Sequence, residues 1–301
     1  MHISVLGKEA IQYLNPKPNE NFVDCTFGWG GHTIEILKRN APRGQVLAIE
    51  LDPELLKCLR QEFKYLLGKR LILVHGNFAD FKKIVAKYQF RPVNGVLLDL
   101  GMSSWHIEKS GRGFTFQKDE PLLMRYDWET QNSELRTSLT AREIVNLWPE
   151  KEIAKILQEY GQEKFAKRIA KEIIKTRDKK PIETTFQLVE IIKRATPSRY
   201  HHQRIHFATR TFQALRIAVN DELENFKKVL GQALEVLEKK GRLVVISFHS
   251  LEDRILKNFF KKEKFKNNIK ILTKKPVIPS KSEIILNPRS RAAKLRACKK
   301  I

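Results

Sequence analysis

Through the first hundred positions, short runs of consecutive apolar residues alternate with segments whose apolar positions recur every three or four residues. Phe22–Phe27, Val46–Ile49, Leu71–Val74 and Val96–Leu100 are the runs, each of strand length. Thr33–Arg39, a segment beginning at Pro53, and Phe81–Tyr88 carry the helical period. In the segment behind Pro53, the residues Leu55, Leu56, Leu59, Phe63 and Leu66 share one face, and proline suits a first helical turn. Asp52 precedes it as the expected N-cap. Apolar strands separated by amphipathic helices predict a parallel sheet covered on both sides.

The rhythm breaks after Leu100. Residues 101 to about 140 read as loop, with Gly101, Gly111, Gly113 and Pro121. From Thr140 to Ala195 the pattern is helical, with capping boxes at Thr140/Glu143 and Thr184/Gln187. A long helical stretch, Thr209 to Lys240, leads into a fifth strand over Gly241–Phe248. Segments around Ile269–Leu272, Glu283–Leu286 and Lys294–Cys298 are expected to close the sheet as short antiparallel strands. The predicted organisation is α/β: one domain over 1–105 and 206–301, split by a mostly helical domain over 106–205.

Composition adds a partner. The 301 residues hold 57 Lys and Arg against 34 Asp and Glu, a formal net charge of +23. From Lys261 to Ile301 there are 14 basic residues and 2 Glu. So one-sided a charge points to a polyanion, most simply nucleic acid. Apolar runs such as Leu243–Ile246 fall far short of the roughly 20 residues a membrane helix needs. Met1–Lys8 lacks the plan of a secretory signal. Cys25, Cys58 and Cys298 have no metal-binding or disulfide spacing, which fits a reducing cytoplasm and no membrane.

Three places carry chemistry. Asp24-Cys25-Thr26-Phe27-Gly28-Trp29-Gly30-Gly31-His32 takes the first strand through a glycine-rich turn into a helix, where the backbone can approach a ligand and free N–H groups face it. Thr33 stands where a GxGxxG dinucleotide fingerprint needs glycine, and GK[ST] is absent, so NAD and ATP are disfavoured. Glu50 ends the second strand 22 residues beyond Gly28, a place from which a carboxylate accepts hydrogen bonds from both ribose hydroxyls. Asp99 ends the fourth strand, where open α/β sheets bind ligands. Phe78, after the third strand, is either an adenine-stacking ring or a core aromatic. His201, His202 and His206 read as a basic, RNA-facing cluster rather than a zinc site, since no fourth ligand accompanies them. Ser250 and Asp253 read as a capping box. No metal is expected.

The glycine turn, Glu50 and Asp99 together suggest an S-adenosylmethionine-dependent methyltransferase. Arg112–Phe116, Asp119–Arg125, Ala208–Ile217, Ile246–Arg254 and Asn287–Arg291 then narrow this: the chain closely resembles the bacterial RsmH/MraW family from His2 to about Arg296. The resemblance implies a class I (Rossmann-like) methyltransferase sheet with an inserted helical domain. It implies N4-methylation of a cytidine in the decoding region of small-subunit ribosomal RNA, so the partner is that RNA or the small ribosomal subunit. Cofactor contacts are implied at Gly30, Gly31, His32, Glu50, Phe78, Asp99 and His106, with Asp99 first a cofactor contact and second an acceptor for the amine proton. Trp29, Glu50, His106, Leu123 and Phe207 depart from the family's usual residues. Two rival readings are a methyltransferase acting on another nucleic-acid amine, disfavoured because Asp99-Leu100-Gly101-Met102 lacks the [DN]PP[YF] motif, and a non-catalytic RNA-binding or assembly factor.

Overall fold

The structure, a computed structural model, describes residues 4–128 and 139–301. Residues 1–3, the start of the segment read for targeting, and 129–138, part of the predicted loop, lie outside the described residues. Two compact units form: Met1–Gly101 with Leu223–Ile301, and Met102–Glu222.

The first unit is built on a seven-stranded sheet. Its strands are β1 (Phe22–Asp24), β2 (Val46–Glu50), β3 (Leu71–His75), β4 (Gly95–Asp99), β5 (Arg242–Ser247), β6 (Ile269–Ile271) and β7 (Lys294–Lys300), in the order β3-β2-β1-β4-β5-β7-β6. The first five run parallel, and β7 enters antiparallel between β5 and β6. This is the Rossmann-like sheet that the motifs implied, with an antiparallel strand added towards one edge. The expected strands are present with one correction. Glu283–Leu286, read as a strand from its apolar run, is helical. Ser280 caps it by accepting from the Glu283 amide (3.1 Å), and Ile285 and Leu286 are 78% and 72% exposed, so no sheet face claims them.

Strand order reverses beside β1, with β2 on one side and β4 on the other, and such switch points open a crevice beyond the carboxyl ends of the strands. Helices α1 (Gly7–Leu14), which the apolar pattern did not predict, α2 (Gly31–Arg39), α3 (Pro53–Glu62) and α4 (Phe81–Lys87) flank the sheet. Asp52 caps α3 as expected, accepting from the Glu54 and Leu55 amides at 2.9 and 3.1 Å. Val23, Leu47, Ile49, Val96, Leu98 and Val245 pack one sheet face against Phe81 and Val85 of α4. On the other, α1 lies against β4, β5 and α2.

The second unit contains α5 (Ser104–Glu108), α6 (Ala141–Leu147), α7 (Glu150–Glu159), α8 (Ala166–Arg177), α9 (Thr185–Ala195), α10 (Ser198–His201) and α11 (Thr209–Asn220). Both predicted capping boxes form. Phe212, Ala214, Leu215 and Val219 of α11 are buried with Ile144, Ile153, Leu157 and Ile169, so residues 206–222 pack into this unit's own core. The helical stretch expected to run unbroken to Lys240 stops at Asp221, whose φ of 50° is left-handed. Across that break, Arg216 grips Glu222 with two hydrogen bonds of 2.8 and 3.0 Å.

The chain then returns to the first unit through α12 (Glu222–Val236), α13 (Ser250–Phe265) and α14 (Lys281–Leu286). Phe226, Val229, Leu230 and Ala233 of α12, with Leu256 and Phe260 of α13, complete the sheet core. The box at the start of α13 is His249/Glu252 rather than Ser250/Asp253: Glu252 accepts from the His249 amide (3.2 Å), and His249 Nδ1 accepts from the Glu252 amide (3.4 Å). Asp253 turns instead to Arg296, which donates to both its oxygens at 2.7 and 3.3 Å. Burial alone would raise the Asp253 pKa, but Arg296, Lys294 and Lys257 hold it below the ordinary range. No helix among the described residues is long and apolar enough to cross a membrane.

Candidate active site

Beyond β1 the chain turns sharply. Gly28 and Gly30 have φ of 52° and 72°, a region where side chains other than glycine are strained. A Cβ on Gly30 would also lie 2.7 Å from the Phe63 ring and 2.8 Å from that of Phe27, two rings that meet edge to face. Gly31 begins α2, and the Ser4 hydroxyl occupies the space its Cβ would need. Gly30→Ala is therefore expected to destabilise the protein by about 2 kcal/mol or more, read as a lower urea midpoint. A wild-type midpoint would show that the rings move aside without cost.

Asp24, at the end of β1, ties the turn down. One carboxylate oxygen accepts from the Thr33 hydroxyl (2.7 Å), the other from the Thr26 amide (3.1 Å). Burial, against the pull of His32 and these bonds, leaves its pKa raised. The Thr26 hydroxyl in turn accepts from the Asp99 amide (2.6 Å), linking the ends of β1 and β4. Asp24, Thr26 and Thr33 went unremarked as site residues in the sequence, although an acid with Thr two and nine positions on marks such a knot.

Glu50 closes the turn from the other side. Its Oε2 accepts from the Gly28 amide (3.1 Å) and its Oε1 from the Asp52 amide (2.9 Å). Only 7% of the residue is exposed. Burial, reinforced by Asp52 and only partly offset by the backbone amides of Asp52, Gly28 and Leu51, pushes its pKa up to about 7. A carboxylate has about four acceptor positions, so capacity remains for an incoming hydroxyl.

His32, on the first turn of α2, places Nε2 3.4 Å from Asp99 Oδ2. Burial works against the imidazolium, yet Asp99, with Asp24 and Glu283, outweighs it and raises the pKa. His32 Nδ1 is buried and has no hydrogen-bond partner among the described residues. Asp99 keeps 20% of its side chain exposed, and its Oδ1 accepts from the Gly101 amide (3.3 Å). Glu283 also accepts from the Leu6 amide (2.7 Å), across 277 residues, a contact with no local signal.

Gly30, Gly31, His32, Glu50 and Asp99 thus gather at the switch point of the first unit. Phe78 opens a short 3-10 turn three residues past β3 and packs partly buried on the sheet core. His106 lies on α5 of the second unit, buried, its ring 4.7 Å from that of Tyr126 and 5.3 Å from that of Phe114. Of the three histidines read as a basic cluster, His201 Nε2 lies 2.9 Å from Thr196 Oγ1, and His206 stacks on Phe116 at 4.4 Å. The first unit's set suits a ribonucleoside cofactor: a glycine turn that lets backbone come close, a buried carboxylate with spare acceptor capacity, and a buried imidazole nitrogen left unsatisfied.

Comparison with known proteins agrees in extent. A profile described as the MraW methylase family matches residues 1–301. A Sulfurihydrogenibium azorense protein named ribosomal RNA small subunit methyltransferase H is 44% identical over 300 residues, covering 100% of this chain and 99% of its own. Proteins of the same name from Thermosipho melanesiensis and Clostridium botulinum are 44% and 43% identical, covering all of this chain and 98% and 99% of theirs. With its whole length matched and its glycine turn, Glu50 and Asp99 assembled in one crevice, the chain belongs to the MraW methylase family.

Proposed function

We propose that the protein is a methyltransferase that uses S-adenosyl-L-methionine to methylate small-subunit ribosomal RNA in the cytoplasm, and that the acceptor is the N4 amine of a cytidine in the decoding region. The observation that carries this is the pair of acids, Glu50 and Asp99, at the carboxyl ends of β2 and β4 on either side of the glycine turn. The name shared by its relatives supports the RNA class. The resemblance of the sequence motifs supplies the cytidine.

When bound, S-adenosyl-L-methionine supplies a methyl group already activated by its sulfonium. The protein's work is therefore positioning and help to a poor nucleophile. Glu50 accepts from the ribose hydroxyls. Gly30, Gly31 and His32 would line the cofactor at the start of α2, and the family resemblance implies further contacts from Phe78 and His106. Cytosine's amine lone pair is delocalised into the ring, so an acceptor for an N4 proton raises electron density at nitrogen as the new bond forms. Asp99 Oδ1, which among the described residues accepts only the 3.3 Å bond from Gly101, is that acceptor. His32, with Nε2 3.4 Å from Oδ2, holds the other edge of the carboxylate in place. The 102–222 unit and the basic C-terminal segment hold the surrounding RNA, whose target base must be splayed out to be reached.

Small ribosomal subunits from a strain lacking the corresponding gene, incubated with the protein and cofactor, should yield N4-methylated cytidine on nucleoside mass spectrometry. Recovery of N6-methyladenosine alone would shift the acceptor to another amine. A protein that binds neither cofactor nor RNA would refute the reading entirely.

A further inference from the structure

Two of the sequence motifs, Ile246–Arg254 and Asn287–Arg291, supply none of the residues that form the glycine-turn site, yet they meet in the first unit. Between them lies a cavity of about 350 Å³, walled by Phe248 and His249 on one side and by Ile278, Ile284, Arg291 and Lys294 on the other. Its location follows from the sheet. Phe248 is the residue after β5, which pairs with β4 so that Ile246 faces Asp99. The Phe248 ring covers Gly101: a Cβ there would fall 2.8 Å from the ring and 3.3 Å from Asp99 Oδ1. One ring therefore touches the Asp99 loop and also walls the cavity.

The wall is held firmly. Glu252, 3% exposed, accepts from the amides of Phe248 and His249 at 2.7 and 3.2 Å. The opposite side carries two cations, Arg291 and Lys294. Arg291 is exposed and makes no hydrogen bond or ion pair among the described residues. Lys294 lies 3.7 Å from Asp253, whose oxygens Arg296 already engages at 2.7 and 3.3 Å. Apolar walls beside Arg291, unpaired among the described residues, and a Lys294 that shares Asp253 with Arg296, suit neither a purely apolar ligand nor a bare anion. They suit a flat heterocycle joined to a phosphate, and the volume lies at the lower end of the roughly 300–1,000 Å³ of small-ligand sites. Aromatic and aliphatic walls take the face of a base, and arginine takes phosphate oxygens.

We propose that this cavity holds one nucleotide of the RNA substrate, the neighbour of the methylated residue, with its base against Phe248 and Ile284 and its phosphate on Arg291 and Lys294. The Phe248 ring separates this occupant from Asp99, which leaves the place at Asp99 for the acceptor base. The assignment rests on the RNA-methyltransferase reading above and adds to it a second, non-reacting subsite.

The test uses the full-length protein with a small-subunit ribosomal RNA transcript, titrated at several salt concentrations, beside cofactor titrations and melting curves. Arg291→Ala should weaken RNA binding about tenfold and flatten the plot of log affinity against log salt by about one unit, as expected for one lost phosphate contact. Arg291→Lys should keep the slope. Ile284→Trp, which fills the cavity, should weaken RNA binding at least as much. Cofactor affinity should stay at the wild-type value in all three. RNA affinity and salt slope unchanged in both Arg291→Ala and Ile284→Trp would overturn the subsite while leaving the methyltransferase reading intact. A wild-type protein that methylates no ribosomal RNA would instead overturn that reading.

Discussion

Glu50→Ala should weaken S-adenosyl-L-methionine binding about 100-fold at pH 8, since it removes a charged acceptor serving two hydroxyls, each such bond contributing about 1.5–3 kcal/mol. The same residue makes wild-type affinity depend on pH. Its pKa in the free protein is pushed up to about 7 by burial. Only the ionised carboxylate can accept from both hydroxyls while holding the Gly28 and Asp52 amides. Affinity should therefore fall as pH drops through about 7, reaching about tenfold weaker at pH 6 than at pH 8. Folding stability runs the other way: a raised carboxyl pKa favours the folded state most at low pH, and that contribution is lost as pH rises towards and past 7. The shift in melting temperature caused by cofactor should accordingly be larger at pH 8 than at pH 6. Calorimetric titration of wild type and Glu50→Ala at both pH values decides the matter: His32 remains in both proteins, so the pH dependence that the variant loses belongs to Glu50. A wild-type affinity equal at both pH values would remove Glu50 from the binding role.

Asp99→Asn should lower methyl transfer at saturating cofactor by about 100-fold, by analogy with the loss of one well-placed charge-stabilising group. The Asp99 amide still donates to Thr26, so the end of β4 should keep its place. His32 reports the change independently. Burial opposes its imidazolium, and Asp99 is the chief force raising its pKa, so the variant should titrate lower than wild type in an NMR pH series. A turnover within a few-fold of wild type, with the His32 titration moved as expected, would confine Asp99 to fixing His32 and place the amine's acceptor elsewhere.

Much of this site was legible because its signals are local. Gly28, Gly30 and Gly31 announce a turn that other residues cannot make, and Glu50 and Asp99 each end an apolar run, so their place at the carboxyl edge follows from the strands themselves. Asp24 was harder to see: an acid inside a strand pattern reads as a tolerated polar residue until Thr33 is brought onto it by the turn. His249 and Glu252 hid in the same way, because Ser and Asp are commoner box residues than His, and the competing partner of Asp253 is 43 residues away at Arg296.

The parallel core of the sheet, the helices between its strands and the glycine turn were determined by the sequence alone, because each depends on periodicity or on backbone freedom within a few neighbouring residues. Tertiary structure decided what no short window contains. The insertion of β7 between β5 and β6 is a choice of partner. The apolar run Glu283–Leu286 became a helix because no sheet edge took it. The helix after Thr209 broke at Asp221, where Phe212, Leu215 and Val219 serve one core and Phe226, Val229 and Leu230 serve another. The elevated pKa of Glu50 and the pairing of His32 with Asp99 belong to the same class, since desolvation and Coulomb forces depend on what surrounds a group in space rather than on what precedes it in the chain.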